Sequence, residues 1–599
     1  MAEPCNDLPE ECWDQIFTKL DRDCEFDSLS LVCKRFYALT NSLRHRLSVT
    51  DPIITGTLPR LLLRFPNLVS VNLSNFRGDV TTIFSEIWHR CLLNLQELDI
   101  SNQTRIPFDE SMDSGSVFKN LKVLKCKNLH VLGNSHLKRI ACCFPCLEEL
   151  DISFPRAELH LRSEDLEGNE SVFTDDGIEA LSLSLKELRK INLSGNSYIT
   201  DRSIAALSNC LNLRSIEILS CCFITANGIH LLLQNSAKMN SVSVFGITCQ
   251  NSNLIAQGFS TYGRALQAID LHCTIISDEC LSSLAKACLP LNRFSLVCCK
   301  GITSNGLLSL LSAYPLLQYL ALEIDFLTDE IMEVLSLYLR SAVTIKLTKC
   351  SRLTISTIFA LARNCDVLEE LDMENTGLGR KSGYLDWFKS STIFALTRKC
   401  DVLEELDMEN TGLGRKGGSL DCYKSSKLKC LNMRKNFKVS DKCLAGIAFV
   451  CRKLEKLDVS FCSGISKEGI GFVLHICPEI RSLKIDSCLG IESIGEGPEL
   501  PKLEVLSAAR SGLNDSGLAA IGMRCSGLLN LVLEGCIGVT TSGVEEVAKK
   551  CKRLREIKLG MCTHVDPSVV ERIVFSCPSL RRVTFTNSKL TEESNFYQL

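Results

Sequence analysis

The chain has 599 residues, with 67 Lys+Arg against 70 Asp+Glu and a formal net charge of -3. A near-neutral balance excludes a strong overall charge for coating nucleic acid or anionic lipid, and 45% hydrophobic residues exclude global disorder. The 33 cysteines are the anomaly, because a count like that suggests disulfides only in small secreted chains.

The first residues, Met1 to Asp7, carry neither a basic stretch nor an apolar stretch of the signal-peptide kind. No run approaches the 18 uninterrupted apolar residues of a membrane span. The expectation is an intracellular protein of nucleus or cytoplasm whose thiols stay reduced, with no membrane and no nucleic acid among its partners.

Residues 1–50 have a pattern of their own. Asp7-Leu8-Pro9-Glu10-Glu11 reads as a helix start, with proline and acids in the first turn. Trp13, Ile16, Phe17 and Leu20 then follow at i, i+3, i+4 and i+7, which is one helix face. Asp21-Arg22-Asp23 breaks the run. A second apolar set follows at Leu29, Val32, Cys33 and Phe36, with Leu31 beside it. The prediction is a compact three-helix unit with apolar residues left over for a partner.

From Leu68 to Leu580 a unit L-x-x-L-x-L recurs, followed by a polar or cysteine-containing turn and an apolar segment at helical spacing. Twenty copies are present, and sixteen of the nineteen intervals between them are 25–27 residues. In L-x-L two leucines point to one face of a short strand and the intervening residue points to the other. No single unit buries its own apolar face, so stacked units share a core. This is the leucine-rich-repeat signature. The predicted fold is α/β, with strands lining a concave face and helices outside. At about 4.8 Å per strand, twenty strands give a lining on the order of 90 Å, the scale of a protein partner.

The cysteines fall into two columns of that unit. One closes the helical segment, at Cys210, Cys288, Cys365, Cys400, Cys451, Cys477, Cys525, Cys551 and Cys577. The other follows the strand, at Cys221, Cys299, Cys350, Cys462, Cys488, Cys536 and Cys562. Small buried thiols suit recurring tight positions. The C-x-x-C of Cys143 and Cys146 reads the same way, since His130 and His136 nearby are isolated and zinc needs a second ligand pair. No metal, cofactor or catalytic constellation stands out from the repeat positions. Lys549-Lys550-Cys551-Lys552-Arg553 reads as a basic helix end that complements the dipole, in preference to a nuclear signal.

Two irregularities interrupt the period. Residues 154–173 form a polar excursion loop between Phe154 and Phe173. Thr357–Lys381 recurs almost unchanged as Thr392–Lys416, so residues 357–416 contain a tandem duplication. If the two copies pair in register, Glu370, Asp372 and Glu374 lie beside Glu405, Asp407 and Glu409. Six carboxylates would then form a dock for a basic segment of substrate. The plainer alternative, which we favour, is an ordinary solvated triad doubled by duplication. Trp387 and Phe388 in the same stretch read as exposed anchors or as helix packing.

The unit C-x-x-L-x-x-L-x-L-x-x-C-x-x-I-T/S-D-x-G-L, followed closely from Cys210 to Leu232 and from Cys551 to Val569, resembles the cysteine-containing leucine-rich repeats. The order Leu8-Pro9, Trp13, Ile16-Phe17, Leu20, then Leu29 to Phe36 resembles the F-box motif. Together they resemble F-box/LRR proteins of plant-like type, the substrate receptors of SCF ubiquitin ligases. The resemblance implies an F-box at 1–50, then a curved right-handed solenoid of about 20 repeats at 51–599, ribonuclease-inhibitor-like. It implies a receptor that is not an enzyme and holds no cofactor. A Skp-type adaptor would bind the F-box and link it to cullin and RING subunit, while the concave face binds the protein to be ubiquitinated. Adaptor contact falls by this carry-over to Leu8, Pro9, Ile16, Phe17, Leu20, Val32, Cys33 and Phe36, and the sequence leaves open which of them are core. Two alternatives are a repeat protein with no ligase link and a small-molecule-gated, hormone-type receptor. The second is weakened by the lack of a sustained basic floor among the central residues of L-x-L.

Overall fold

The structure is a computed structural model that describes residues 9–17, 19, 26, 29–49, 64–76, 78, 80–81, 94–104, 120–155, 172–246, 252–378, 426–585 and 595–598. The chain folds as two compact units, Met1–Pro290 and Leu291–Leu599. Among the described residues no helix is long and apolar enough to cross a membrane.

The first unit opens with helices α1 (Glu10–Phe17) and α2 (Lys34–Leu43). Among the described residues nine parallel strands follow: β1 (Arg46–Ser48), β2 (Ser70–Asn72), β3 (Glu97–Asp99), β4 (Val123–Lys125), β5 (Glu149–Asp151), β6 (Lys190–Asn192), β7 (Ser215–Ile218), β8 (Ser241–Phe245) and β9 (Ala268–His272). One inward column runs through them in register, from Leu47 through Val71, Leu98 and Leu124 to Ile269, and all these residues are buried.

In the second unit the parallel order is β10 (Arg293–Val297), β11 (Tyr319–Glu323), β12 (Thr344–Lys346), β13 (Glu370–Asp372), β14 (Cys430–Asn432), β15 (Lys456–Asp458), β16 (Ser482–Lys484), β17 (Val505–Ser507), β18 (Asn530–Val532), β19 (Glu556–Lys558) and β20 (Arg582–Phe585). A last strand, β21 (Asn595–Gln598), pairs antiparallel with β20. Both units are leucine-rich-repeat folds, with strands on one face and helices returning the chain on the other. The sheet starts one strand earlier than the L-x-x-L-x-L anchors predict, because β1 lies inside the segment read as the helical module.

The turn sequence I-T/S-D-x-G-L is the joint between repeats. Thr540 caps the helix Thr541–Lys550 by position, while its amide and hydroxyl donate to the Asp515 carboxylate at the start of the preceding helix, at 2.8 and 2.6 Å. Thr225 binds Asp201 in the same way, at 2.7 and 2.6 Å, and Ser466 binds Asp441 at 2.9 and 2.6 Å. The glycine of the motif clears room for that acid, because a Cβ at Gly228 or Gly543 would overlap Oδ1 of Asp201 or Asp515. The helix starts are thus knitted to one another by charge-assisted hydrogen bonds.

The cysteine columns make two further ladders. After the strand, Cys462 Sγ donates to Met433 O at 3.2 Å, Cys488 to Val459 O at 3.2 Å and Cys536 to Ala508 O at 2.9 Å, each reaching the preceding repeat. At helix ends, Cys477 reaches Ala448 O at 3.6 Å and Cys551 reaches Cys525 O at 3.5 Å. Burial pushes these thiols up, Cys451, Cys462, Cys477 and Cys525 to about 12. Cys288 departs from its column: it is exposed, with φ of 49°. Cys400 lies outside the described residues. Every described cysteine is a free thiol.

Candidate functional site

In the helical module, the apolar residues of one sequence motif divide between core and surface. Phe17 and Phe36 are 2% and 6% exposed, and with Phe26 and Leu39 they form the core. Their rings stack edge-on with centroids 5.0 Å apart, and Trp13 lies 4.9 Å from Phe36. Ile16 and Phe17 are neighbours on α1, and successive helical side chains diverge by about 100°, so only one of the two can face that core. Ile16 is 45% exposed. Pro9, Leu31, Val32 and Cys33 are exposed as well, Leu31 at 87%. Cys33 caps α2, its sulfur accepting from the Phe36 amide at 3.4 Å. Of the eight residues predicted for adaptor contact, Phe17 and Phe36 are core, while Pro9, Ile16, Val32 and Cys33 are surface. Leu8 and Leu20 lie outside the described residues. Leu31 and Tyr37, exposed on the same module, belong with the surface set. An exposed leucine next to a motif position was the only signal in the sequence for Leu31.

The module is fused to the repeats. Two residues, Arg44 and His45, separate α2 from β1. Arg64 lies over the Tyr37 ring at 4.4 Å and donates from Nε to Asn41 Oδ1 at 2.9 Å. Asn67 Nδ2 donates to Ser42 O at 2.8 Å, and His45 Nδ1 is 2.9 Å from Asn67 O. The contacts join the last helix of the module to the turn before β2.

Residues 5–50 match the F-box-like family.

Among solved structures, the chain is similar to a chain of the Rad7–Elc1 complex from yeast, at 17% identity and a TM-score of 0.42, covering 63% of this chain and 83% of that one. It is also similar to a chain of the TLR13–ssRNA13 complex, at 16% identity and a TM-score of 0.43, covering 88% and 74%.

Beyond the F-box, the first triad of the candidate acidic dock lies among the described residues. β13 pairs with β12 on one edge and with β14 on the other. Both edges of β13 are thus occupied by described strands. Glu405, Asp407 and Glu409, like Trp387 and Phe388, lie outside the described residues. The first triad is engaged locally. Asp372 Oδ1 accepts from its own Glu374 amide and from Asn432 Nδ2, each at 3.0 Å, and burial raises its carboxyl above the ordinary value. Glu374 pairs with Lys435 at 2.7 Å, and Glu370 accepts from the Thr344 hydroxyl at 3.4 Å.

The Asp372 turn recurs. Asn72, Asp99, Asp151, Asn192, Asn432 and Asp458 each accept from the amide two residues on, at 2.8–3.0 Å. At these positions the Asp or Asn at the centre of L-x-L ends its own strand with an Asx turn, whereas Asp270 lies within β9 and accepts from the Ser243 hydroxyl at 3.1 Å. Elsewhere on the sheet face, Lys125 pairs with Glu97 at 2.6 Å and, together with the Ser70 hydroxyl, holds that carboxyl below its ordinary value. Cys142 and Cys146 are exposed at the end of helix Asn134–Cys143, and among the described residues no cluster of three metal-ligating side chains occurs.

Proposed function

We propose that this chain is the substrate-recognition subunit of an SCF-type ubiquitin ligase, of the cysteine-containing, plant-like F-box/LRR kind. Its F-box docks a Skp-type adaptor, and through it the cullin and RING subunit, while the open strand face holds the protein to be ubiquitinated. The receptor makes and breaks no bonds. It raises the local concentration of substrate lysines near the charged conjugating enzyme. It would act inside the cell, in nucleus or cytoplasm.

The observation that carries this reading is the exposed apolar set on a module that matches the F-box-like family: Pro9, Ile16, Leu31 and Val32 over an aromatic core. Side chains of that size left in water on so small a module mark a protein contact. The test is adaptor pull-down with Ile16→Asp and Val32→Asp combined. The expected result is loss of the adaptor with an unchanged melting curve. Retention of adaptor by this variant would overturn the reading.

A further inference from the structure

We propose that the open face of β16–β19 is a binding site for an extended acidic segment of the substrate, one that carries an apolar side chain between two carboxylates. The proposal deepens the receptor reading and rests on it for the identity of the ligand as substrate.

The site is built by register. Lys484, Ser507, Val532 and Lys558 stand in one row across four adjacent strands, and Ser482, Val505, Asn530 and Glu556 stand in the row beside it. The strand residues between these rows are buried, so the rows face away from the helices. Val505 and Val532 are half-buried and give the floor an aliphatic centre. The equivalent positions of β12–β15 are Thr344, Lys346, Glu370, Asp372, Cys430, Asn432, Lys456 and Asp458, with no aliphatic residue among them.

The charges of the patch are unequally used. Arg481 pairs with Glu504 at 3.3 Å and Arg582 with Glu556 at 3.5 Å. Glu556 also accepts from Asn530 at 2.9 Å. Asp486, at the border, accepts from the Ser507 hydroxyl at 2.6 Å and the Ala509 amide at 2.8 Å. Lys484 and Lys558 reach no carboxylate among the described residues. Glu534, two residues past Val532, bounds the site on the same side as Asp486. On β15, Asp458 stands in register beside Lys484 and accepts from the Ser460 amide at 2.9 Å without pairing with the lysine. The floor therefore offers two ammonium groups, and its nearest acids accept hydrogen bonds from neighbours or stand at its borders.

The spacing selects the ligand. Three strand steps separate Lys484 from Lys558, about 14 Å at about 4.8 Å per step. In an extended peptide, residues i and i+4 are also about 14 Å apart and point to one side, with i+2 midway between them. An acid at i and at i+4 meets the two lysines while an apolar residue at i+2 covers Val505 and Val532. An aliphatic floor favours a peptide over a polyanion such as a nucleic acid, whose charges have no apolar neighbour to place there. The sign is opposite to that of the basic-segment dock weighed at the Glu370 triad.

The test uses the full-length chain and a fluorescein-labelled peptide SGESLSEGS, read by anisotropy, with SGKSLSKGS and SGESGSEGS as comparison peptides. The acidic peptide is expected to bind best and to weaken with added salt. K484E with K558E should cost at least about tenfold in its affinity and reverse the preference toward the lysine peptide. Val532→Asp, or the Leu-to-Gly peptide, should weaken binding without reversing that preference. No binding of the acidic peptide at millimolar concentration, equal binding of the two charged peptides, or indifference to both variants would overturn the proposal. Adaptor pull-down run on K484E/K558E should match that of the unaltered chain. Loss of adaptor binding by the Ile16/Val32 variant is a separate result, so the two readings fail separately.

Discussion

The Thr540 hydroxyl and amide both bind the Asp515 carboxylate, at 2.6 and 2.8 Å, across the boundary between two repeats. A capping threonine ordinarily serves its own helix. Here its side chain makes no bond within its own helix and instead ties that helix to the one before, and Gly543 leaves the space that the acid needs. Asp515→Ala should therefore destabilise the second unit by about 1–3 kcal/mol, the cost of unsatisfied donors plus a lost charged hydrogen bond. Gly543→Ala should cost about as much through overpacking. In the double variant the second loss should largely vanish, because the atom that clashed is gone. A double-mutant cycle read by denaturant unfolding measures this coupling, and simple additivity would refute it.

Asp175 makes the same joint in the first unit and supplies a pH signature. Burial alone would push its carboxyl up, but hydrogen bonds from Ser203 and Thr200 outweigh that and hold it below its ordinary value. The folded value lies under the unfolded one. Its stabilisation is thus complete above the unfolded value of about 4 and is lost as pH falls through the folded one. Asp175→Asn should lower the melting temperature at pH 7, and the gap to the unaltered chain should close as pH drops below about 4. A gap that stays constant down to pH 3 would show that ionisation is not what Asp175 contributes.

The strands were legible because their anchors are large, apolar and spaced by steric necessity. β1 escaped for the same reason: at the position of the first leucine anchor, two residues before the strand, stands Arg44, so the L-x-x-L frame is broken there. The sheet neighbour of β13 was not legible because order along the chain does not dictate order in the sheet across a duplicated stretch, and Glu370 pairs with Cys430 sixty residues on. The Asx turns were hidden because an Asp at an outward position reads equally well as free charge or as a strand terminator. The core and surface residues of the F-box could be separated only by the aromatic packing around Phe36, which depends on the turn between two helices.

Thiol chemistry should follow burial. Cys451, Cys477 and Cys525, pushed up to about 12, carry almost no thiolate at pH 8 and have no access to solvent. Iodoacetamide on the native protein, followed by peptide mass spectrometry, should modify Cys12, Cys33, Cys222 and Cys273, which are exposed. It should leave the buried columns intact until denaturant is added. Early modification of Cys477 would mean that the ladder opens in the native state.

In the F-box, Phe36→Ala should cost about 3–5 kcal/mol, since it empties the centre of the aromatic cluster. Ile16→Ala should change stability by less than about 1 kcal/mol because its side chain is half in water. Thermal melts of the two variants distinguish a core residue from a surface one. Equal losses would contradict the division seen in the structure.

The two-residue passage from α2 into β1, with the Arg64 and Asn67 contacts beside it, ties the F-box to the first strands of the repeats. Whatever binds the exposed Ile16–Val32 surface is therefore held in a fixed frame with the first unit's sheet. Each strand in that unit lies about 4.8 Å beyond the one before it. Distance from the module is then counted in strands, so repeat number, where a tethered module would depend on linker length, fixes how far any point of that unit's sheet lies from it.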